Sequence, residues 1–204
     1  MTSAKGASPI GINRPVLLVG RSPARLALLA QLGITPQTIL SVDTQEDDLD
    51  AMQTSSPSRL AQARARARAE AGHAAAGAAA RDGAVLAAAT LVAVGRRIVP
   101  PPGTKDDAAA CLRLLSGRAH RVYTGLCVML GGRRREACAV TRVHWKRLHA
   151  SESAAYLASG EWRGAAGGYR LDGLAAGFVR RLNGSPSNVL GLPLYETRRL
   201  LMGG

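Results

Sequence analysis

The sequence of 204 residues predicts a mixed α/β fold. Two patterns carry the prediction. Short apolar runs lead into capped helical stretches, which is how strand–helix units read. Other apolar runs are joined by glycine-rich turns, which is how antiparallel hairpins read. Both kinds of connection in one chain require a mixed sheet and exclude an all-parallel doubly wound one. Hydrophobic residues make up 47% of the chain but aromatics only 3%. The core is therefore built of small aliphatic side chains, with Trp145, Trp162 and Phe178 as rare large fillers.

Residues 1–14 are polar and rich in Gly, Ser and Pro and read as a flexible tail, with residues 15–204 forming one domain. Residues 16–19 are apolar, a buried strand. Gly20-Arg21-Ser22-Pro23 then opens a helix to about residue 31, with Ser22 as cap, Pro23 at the first helical position and Gly33 as the stop. Residues 38–40 form a second short strand. Residues 43–57 hold Asp43, Glu46, Asp47, Asp48 and Asp50 before a Ser/Pro cluster, a polar loop with the chain's only concentration of acid. Residues 58–80 are alanine-rich and predict a long helix. Its Arg64, Arg66 and Arg68 are spaced by two, which spreads them around the helix and gives no basic stripe.

Residues 84–94 form a strand that turns at Gly95-Arg96-Arg97, and Ile98-Val99 begin the return. After a proline-rich loop, Thr104 caps a helix to about residue 115, with Asp107 as capping-box acid. Residues 121–130 and 137–148 pair as a long hairpin, with Arg133-Arg134-Arg135 at its tip. Residues 154–158 are helical up to Gly160. Residues 178–182 are a strand closed by Asn183-Gly184, and a last helix runs from Pro193 to about residue 201.

Lysine and arginine number 27 against 14 acids, a net charge of +13. The arginines are scattered and few aromatics interleave with them. This reads as a compositional bias towards alanine and arginine and argues against a nucleic-acid partner. An arginine-rich nucleic-acid-binding protein is the reading that arginines converging on one face would favour. No run of about 18 apolar residues exists, so no membrane span is expected, and no secretory signal is visible. Cys111, Cys127 and Cys138 are odd in number and form no CxxC pair, which argues against a disulfide scaffold or zinc ribbon and fits a cytoplasmic protein.

The best local site is Gly20-Arg21-Ser22-Pro23-Ala24-Arg25. A strand feeding a helix start offers backbone N–H groups and the positive end of the helix dipole to an anion. Ser22 adds a hydroxyl and Arg25 a bidentate grip on phosphate. The segment is not a Walker A loop, and no GxGxxG follows a strand. His144 and His149 stand five apart without an HExxH and read as ordinary surface or structural histidines. His120, before a strand, reads as a turn hydrogen-bonder. Glu152, Glu161, Asp172 and Glu196 read as isolated solvated or capping acids.

Three longer stretches are more specific. They are Leu115-Ser116-Gly117-Arg118-Ala119-His120-Arg121-Val122-Tyr123-Thr124-Gly125, then Ala166-Gly167-Gly168-Tyr169, then residues 184–197 beginning Gly184-Ser185-Pro186-Ser187-Asn188. In this order they resemble the Maf proteins, a family of nucleoside triphosphate pyrophosphatases, from about Val16 to Leu201. The resemblance implies an inosine-triphosphatase-like mixed α/β fold with two lobes flanking a cleft, and a homodimer. It implies a nucleoside triphosphate as substrate and magnesium as cofactor, with a metal-bound water attacking the α-phosphorus to give a monophosphate and pyrophosphate.

Carried over residue by residue, the family's opening Ser-x-Ser-Pro-Arg-Arg loop keeps Ser22, Pro23 and Arg25 but has Gly20 for the first Ser and Ala24 for the first Arg. The acid after the second strand falls on Gln45, with Glu46 beside it. The basic residue of the long helix is kept as Arg64. The Gly-Ala-Asp-Thr motif falls on Ala87-Ala88-Ala89-Thr90, so the catalytic aspartate is Ala89. The lysine of a Lys-Pro pair falls on Pro101, and the glutamine after Gly-Tyr on Asp172. A methyl group binds no metal and takes no proton. The expectation is a nucleotide-binding member with weak or lost catalysis, in which Ser22, Arg25 and Arg64 hold the substrate. The alternative is an active pyrophosphatase whose metal ligands have been rearranged to Asp172 and Glu46, with Asp172 substituting at the catalytic centre and Lys105 for the missing lysine.

Overall fold

The computed structural model describes residues 11–12, 14–42 and 56–202. Most of the predicted tail, and the acidic stretch with Gln45, Glu46 and Asp47, lie outside the described residues. The strands are β1 (Val16–Val19), β2 (Thr38–Leu40), β3 (Ala84–Val94), β4 (Arg97–Val99), β5 (Ala119–Leu130), β6 (Arg133–Trp145) and β7 (Val179–Asn183). The helices are α1 (Pro23–Gln31), α2 (Pro57–Ala76), α3 (Ala79–Asp82), α4 (Lys105–Leu115), α5 (Ala150–Ser159), α6 (Pro186–Val189) and α7 (Leu194–Met202).

The strands form one mixed sheet in the order β2-β1-β3-β5-β6-β7, with β4 paired to the far end of β3. β1 runs parallel to both β2 and β3, while β3, β5, β6 and β7 are successively antiparallel. β3 is the hinge of this arrangement. It is buried almost throughout, and its near-continuous apolar sequence is what a strand covered on both faces requires.

α2 covers one face of the sheet with Leu60, Ala61, Ala65, Ala69 and Gly72. Small residues on both sides bring helix and sheet into direct contact. A Cβ on Gly125 of β5 would stand 2.3 Å from the Ala61 carbonyl oxygen. The opposite face carries two cores. One packs Leu28 and Leu29 of α1 and Leu200 and Leu201 of α7 on Leu18, Leu86 and Leu126. The other gathers the scarce aromatics, Trp145, Tyr156, Trp162, Tyr169 and Phe178, against Val92, Leu112 and Leu115. Trp145 meets Tyr169 and Phe178 edge-to-face at centroid distances of 4.9 and 5.5 Å.

Several boundaries differ from the sequence expectation, each for a local reason. The long helix stops at Ala76, because Gly77 takes φ +53°, and resumes only as the short α3. The β5–β6 hairpin turns on Gly131 and Gly132 alone, at φ +54° and +76°. Two consecutive left-handed residues make the tight two-residue turn that glycine alone tolerates at no steric cost. Arg133-Arg134-Arg135 therefore lie in β6, not at the tip. There Arg134 reaches Glu70 and Glu136, and Arg135 donates to the Leu200 carbonyl. α5 begins at Ala150, before the expected 154, because Glu152 accepts from the His149 N–H at 3.0 Å. Phe178 ends a 3₁₀ turn (Leu174–Phe178), and β7 starts one residue later than expected.

Candidate functional site

A cleft of about 490 Å³ opens between the two cores at the end of the parallel strands. Its first wall is the β1–α1 junction. Ser22 caps α1, its Oγ accepting from the Arg25 N–H at 3.4 Å, and Pro23 occupies the first turn. Arg25 lies across the entrance and donates through Nε to the Gly191 carbonyl at 3.0 Å. Gly191 has φ +95°, and a Cβ there would stand 3.1 Å from Thr90 Oγ1, so the loop before α7 closes on the strand through a glycine.

The floor is β3, where Ala89, Thr90 and Val92 face the cleft. Thr90 Oγ1 meets Thr124 Oγ1 at 3.0 Å, and Thr124 in turn donates to the Asn188 carbonyl. α2 supplies Arg64 and Arg68, one helical turn apart. Arg68 donates through Nη1 to the Ala88 carbonyl at 3.0 Å. The far wall is the segment from Arg163 to Asp172, set against the aromatic core. Arg163 lies over the Trp162 ring, its guanidinium carbon 4.6 Å from the centroid. Tyr169 is buried, and its hydroxyl meets His120 Nε2 at 2.8 Å.

Among the described residues, Arg21, Arg25, Arg64, Arg68, Arg163 and Arg170 line the cleft together with Asp172. That aspartate is engaged: Arg170 donates to both of its carboxylate oxygens, at 3.1 and 2.8 Å. The hydrogen-bonded guanidinium holds the Asp172 carboxyl below the usual carboxylate range. Behind the far wall, burial and then the charge of His144 push His120 down to about 4. It is neutral at physiological pH and sits inside β5, not in the turn that its sequence context suggests.

Ser22, Arg25, Arg64, Ala89, Pro101 and Asp172, far apart in the chain, all line this one cleft. Glu46 lies outside the described residues. Lys105 starts α4 and does not line the cleft. The sequence reading missed Arg68. It treated the 64/66/68 series as a dispersed set, whereas a spacing of four puts Arg64 and Arg68 on one face and sends Arg66 to Glu136. Arg163 and Arg170 carry no local signal beyond their place beside the Gly-Gly-Tyr stretch.

The donors that the described residues bring to the cleft are not those that suit magnesium. A divalent ion of this type takes oxygen ligands, carboxylates first. Among the described residues no group of three His, Cys, Asp or Glu side chains is placed to hold a metal. Position 89 presents a methyl group, position 101 a proline ring, and both oxygens of Asp172 already accept from Arg170. No helix among the described residues is long and apolar enough to cross a membrane.

Comparison with known proteins is consistent over most of the chain. A family model described as Maf-like protein matches residues 15–203. A dTTP/UTP pyrophosphatase of Mesorhizobium japonicum is 49% identical over 201 residues, covering 95% of this chain and 93% of the relative. Proteins of the same name from a Chelativorans species and from Rhizobium meliloti are 48% and 45% identical, covering 91% and 95% of this chain and 89% and 94% of their own lengths.

Proposed function

The chain belongs to the Maf family of nucleoside triphosphate pyrophosphatases, and on that premise we propose that its cleft binds a nucleoside triphosphate and hydrolyses it weakly or not at all. One observation carries the reading. Ala89 and Pro101, the positions where the family pattern places an aspartate and a lysine, both face the cleft with apolar groups.

Binding is well supplied. The N-terminus of α1, capped by Ser22, presents the positive end of its dipole. Arg25, Arg64 and Arg68 offer planar forks that match phosphate oxygens two at a time. Arg25 and Arg68 each donate to a backbone carbonyl, which orients them and reduces the freedom to be lost on binding. The relatives' names make dTTP and UTP the first nucleotides to try.

Catalysis is poorly supplied. Hydrolysis at a phosphorus needs a base to activate water and a cation positioned at the developing charge. Loss of a general base costs ~10²–10⁴ in rate. The test is pyrophosphate release from dTTP, UTP and the purine triphosphates, beside the Ala89→Asp variant. The expected result is release near background in the wild type and a measurable rise in Ala89→Asp. Brisk wild-type turnover that Asp172→Ala abolishes would overturn the reading in favour of an enzyme with rearranged carboxylates.

A further inference from the structure

We infer that Asn188 is a positioning residue for the cleft: its buried amide fastens the loop whose Gly191 carbonyl holds Arg25 across the entrance. The inference rests on the reading of the cleft as a nucleotide site and adds a residue that does not itself line it.

The hydrogen bonds trace the path. Asn188 lies in α6 and is fully buried. Its Nδ2 donates to the Val122 carbonyl of β5 at 3.1 Å and to Thr141 Oγ1 of β6 at 2.9 Å. Thr141 Oγ1 gives its own proton to the Ser185 carbonyl, so it accepts from Asn188, which sets the orientation of the amide. Two N–H donors on so short a side chain are the property of asparagine; a hydroxyl has one and a carboxylate none. The backbone carbonyl of Asn188 accepts from Thr124 Oγ1 and from the Gly191 N–H, each at 3.0 Å. Thr124 has one proton and gives it there, so Thr90 is the donor in the Thr90–Thr124 pair. Asn188 thereby joins β3, β5 and β6 to the loop at Gly191.

The loop in turn sets Arg25. The Gly191 carbonyl accepts from Arg25 Nε at 3.0 Å, and a Cβ on Gly191 would stand 3.1 Å from Thr90 Oγ1 and 3.5 Å from Arg25 Nε. The loop is therefore wedged where the floor of the cleft meets its α1 wall. A guanidinium is planar, so a bond at Nε fixes the plane in which its terminal N–H groups point. Loss of the Asn188 amide frees the loop to move, and that plane turns with it.

The experiment is calorimetric titration of UTP into the full chain, Asn188→Ala, Arg25→Lys and the double variant. Lysine keeps the charge but has no planar fork for Gly191 to orient. The expected result is that Asn188→Ala weakens binding about tenfold beside Arg25 and leaves it unchanged beside Lys at that position. Equal losses in both backgrounds would show that Asn188 supports the fold at large and would overturn the inference, as would no loss in either. Should Asn188→Ala fail to fold, Thr141→Val removes the hydroxyl partner of the amide and Thr141→Ser restores it. The same Arg25-dependent loss is expected in Thr141→Val, with wild-type affinity in Thr141→Ser; wild-type affinity in Thr141→Val overturns the inference. A wild-type protein that binds no UTP overturns the nucleotide reading itself, and this inference with it.

Discussion

Arg68 of α2 donates to the backbone carbonyl of Ala88 at 3.0 Å, tying a cleft-facing cation to the strand one residue before Ala89. A position where the family pattern has a carboxylate is here an alanine with an arginine fixed beside it. The neighbouring residues have consequences that can be measured separately.

Arg64 and Arg66 stand two residues apart on the helix and face different ways, Arg64 into the cleft and Arg66 onto Glu136. Arg64→Gln is expected to weaken UTP binding about tenfold, the loss of one charge-assisted contact. Arg66 holds Glu136 by two bonds of 2.7 and 2.9 Å outside the cleft. Arg66→Gln is expected to leave nucleotide affinity unchanged and to lower stability by about 1 kcal/mol, the scale of a partly exposed pair. Calorimetry and urea unfolding on both variants check the division.

Gly125 marks the closest approach of α2 to the sheet. Gly125→Ala would place a methyl group 2.3 Å from the Ala61 carbonyl oxygen, and backbone cannot rotate away. Overpacking of this kind costs about 1–3 kcal/mol. Urea unfolding is expected to show that loss, together with weaker nucleotide binding, because α2 carries Arg64 and Arg68. A variant as stable as wild type would mean that the helix shifts freely on the sheet.

His120 makes stability depend on pH. Buried against Tyr169 and Trp145, it resists protonation down to about 4, whereas an unfolded histidine takes its proton near 6.5. Lowering the pH through that window protonates the unfolded chain first and favours it. The contribution is complete above about pH 6.5 and is lost as pH falls towards 4, on the order of 3 kcal/mol in all. His120→Gln removes the titrating group. The stability gap between wild type and variant is expected to narrow by about 2 kcal/mol between pH 7 and 4.5. A gap that does not move with pH would contradict the assignment.

Glu136 adds an acid limb of its own. Its hydrogen bonds to Arg66 hold the carboxyl below the usual range. That stabilisation is present above the unfolded carboxylate's pKa and is lost as pH falls through the lowered folded value. Glu136→Gln is expected to be less stable than wild type at pH 7, and the difference should shrink in acid. Thermal melts across pH 3–7 read it directly.

What could be read in the sequence was what local chemistry dictates. Ser22 and Pro23 fixed the start of α1, Thr104 and Asp107 the start of α4, and the apolar run before Gly95 the central strand. Where a tertiary contact decides, local reading failed. Arg133 looked like a hairpin tip because arginines often are, but the two preceding glycines complete the turn by themselves. His120 looked like a turn residue because the aromatic cluster that buries it comes from Trp145 and Tyr169, far along the chain. Ser22 and Arg25 were legible from the strand-to-helix junction itself, Arg64 and Asp172 only through the family resemblance. Ser22, Arg25, Arg64 and Asp172 share no spacing that would join them, and it is the crossing of α1, α2 and the Gly-Gly-Tyr segment over β3 that brings them to one cleft.

The central claim is that the cleft binds a nucleoside triphosphate without turning it over efficiently. One calorimetric titration of UTP into the protein addresses both halves, because binding gives discrete saturable heats and turnover gives sustained thermal power. The account predicts a saturable isotherm on a flat baseline, with the nucleotide recovered intact. Sustained power with accumulating pyrophosphate, or no heat of binding at all, would contradict it.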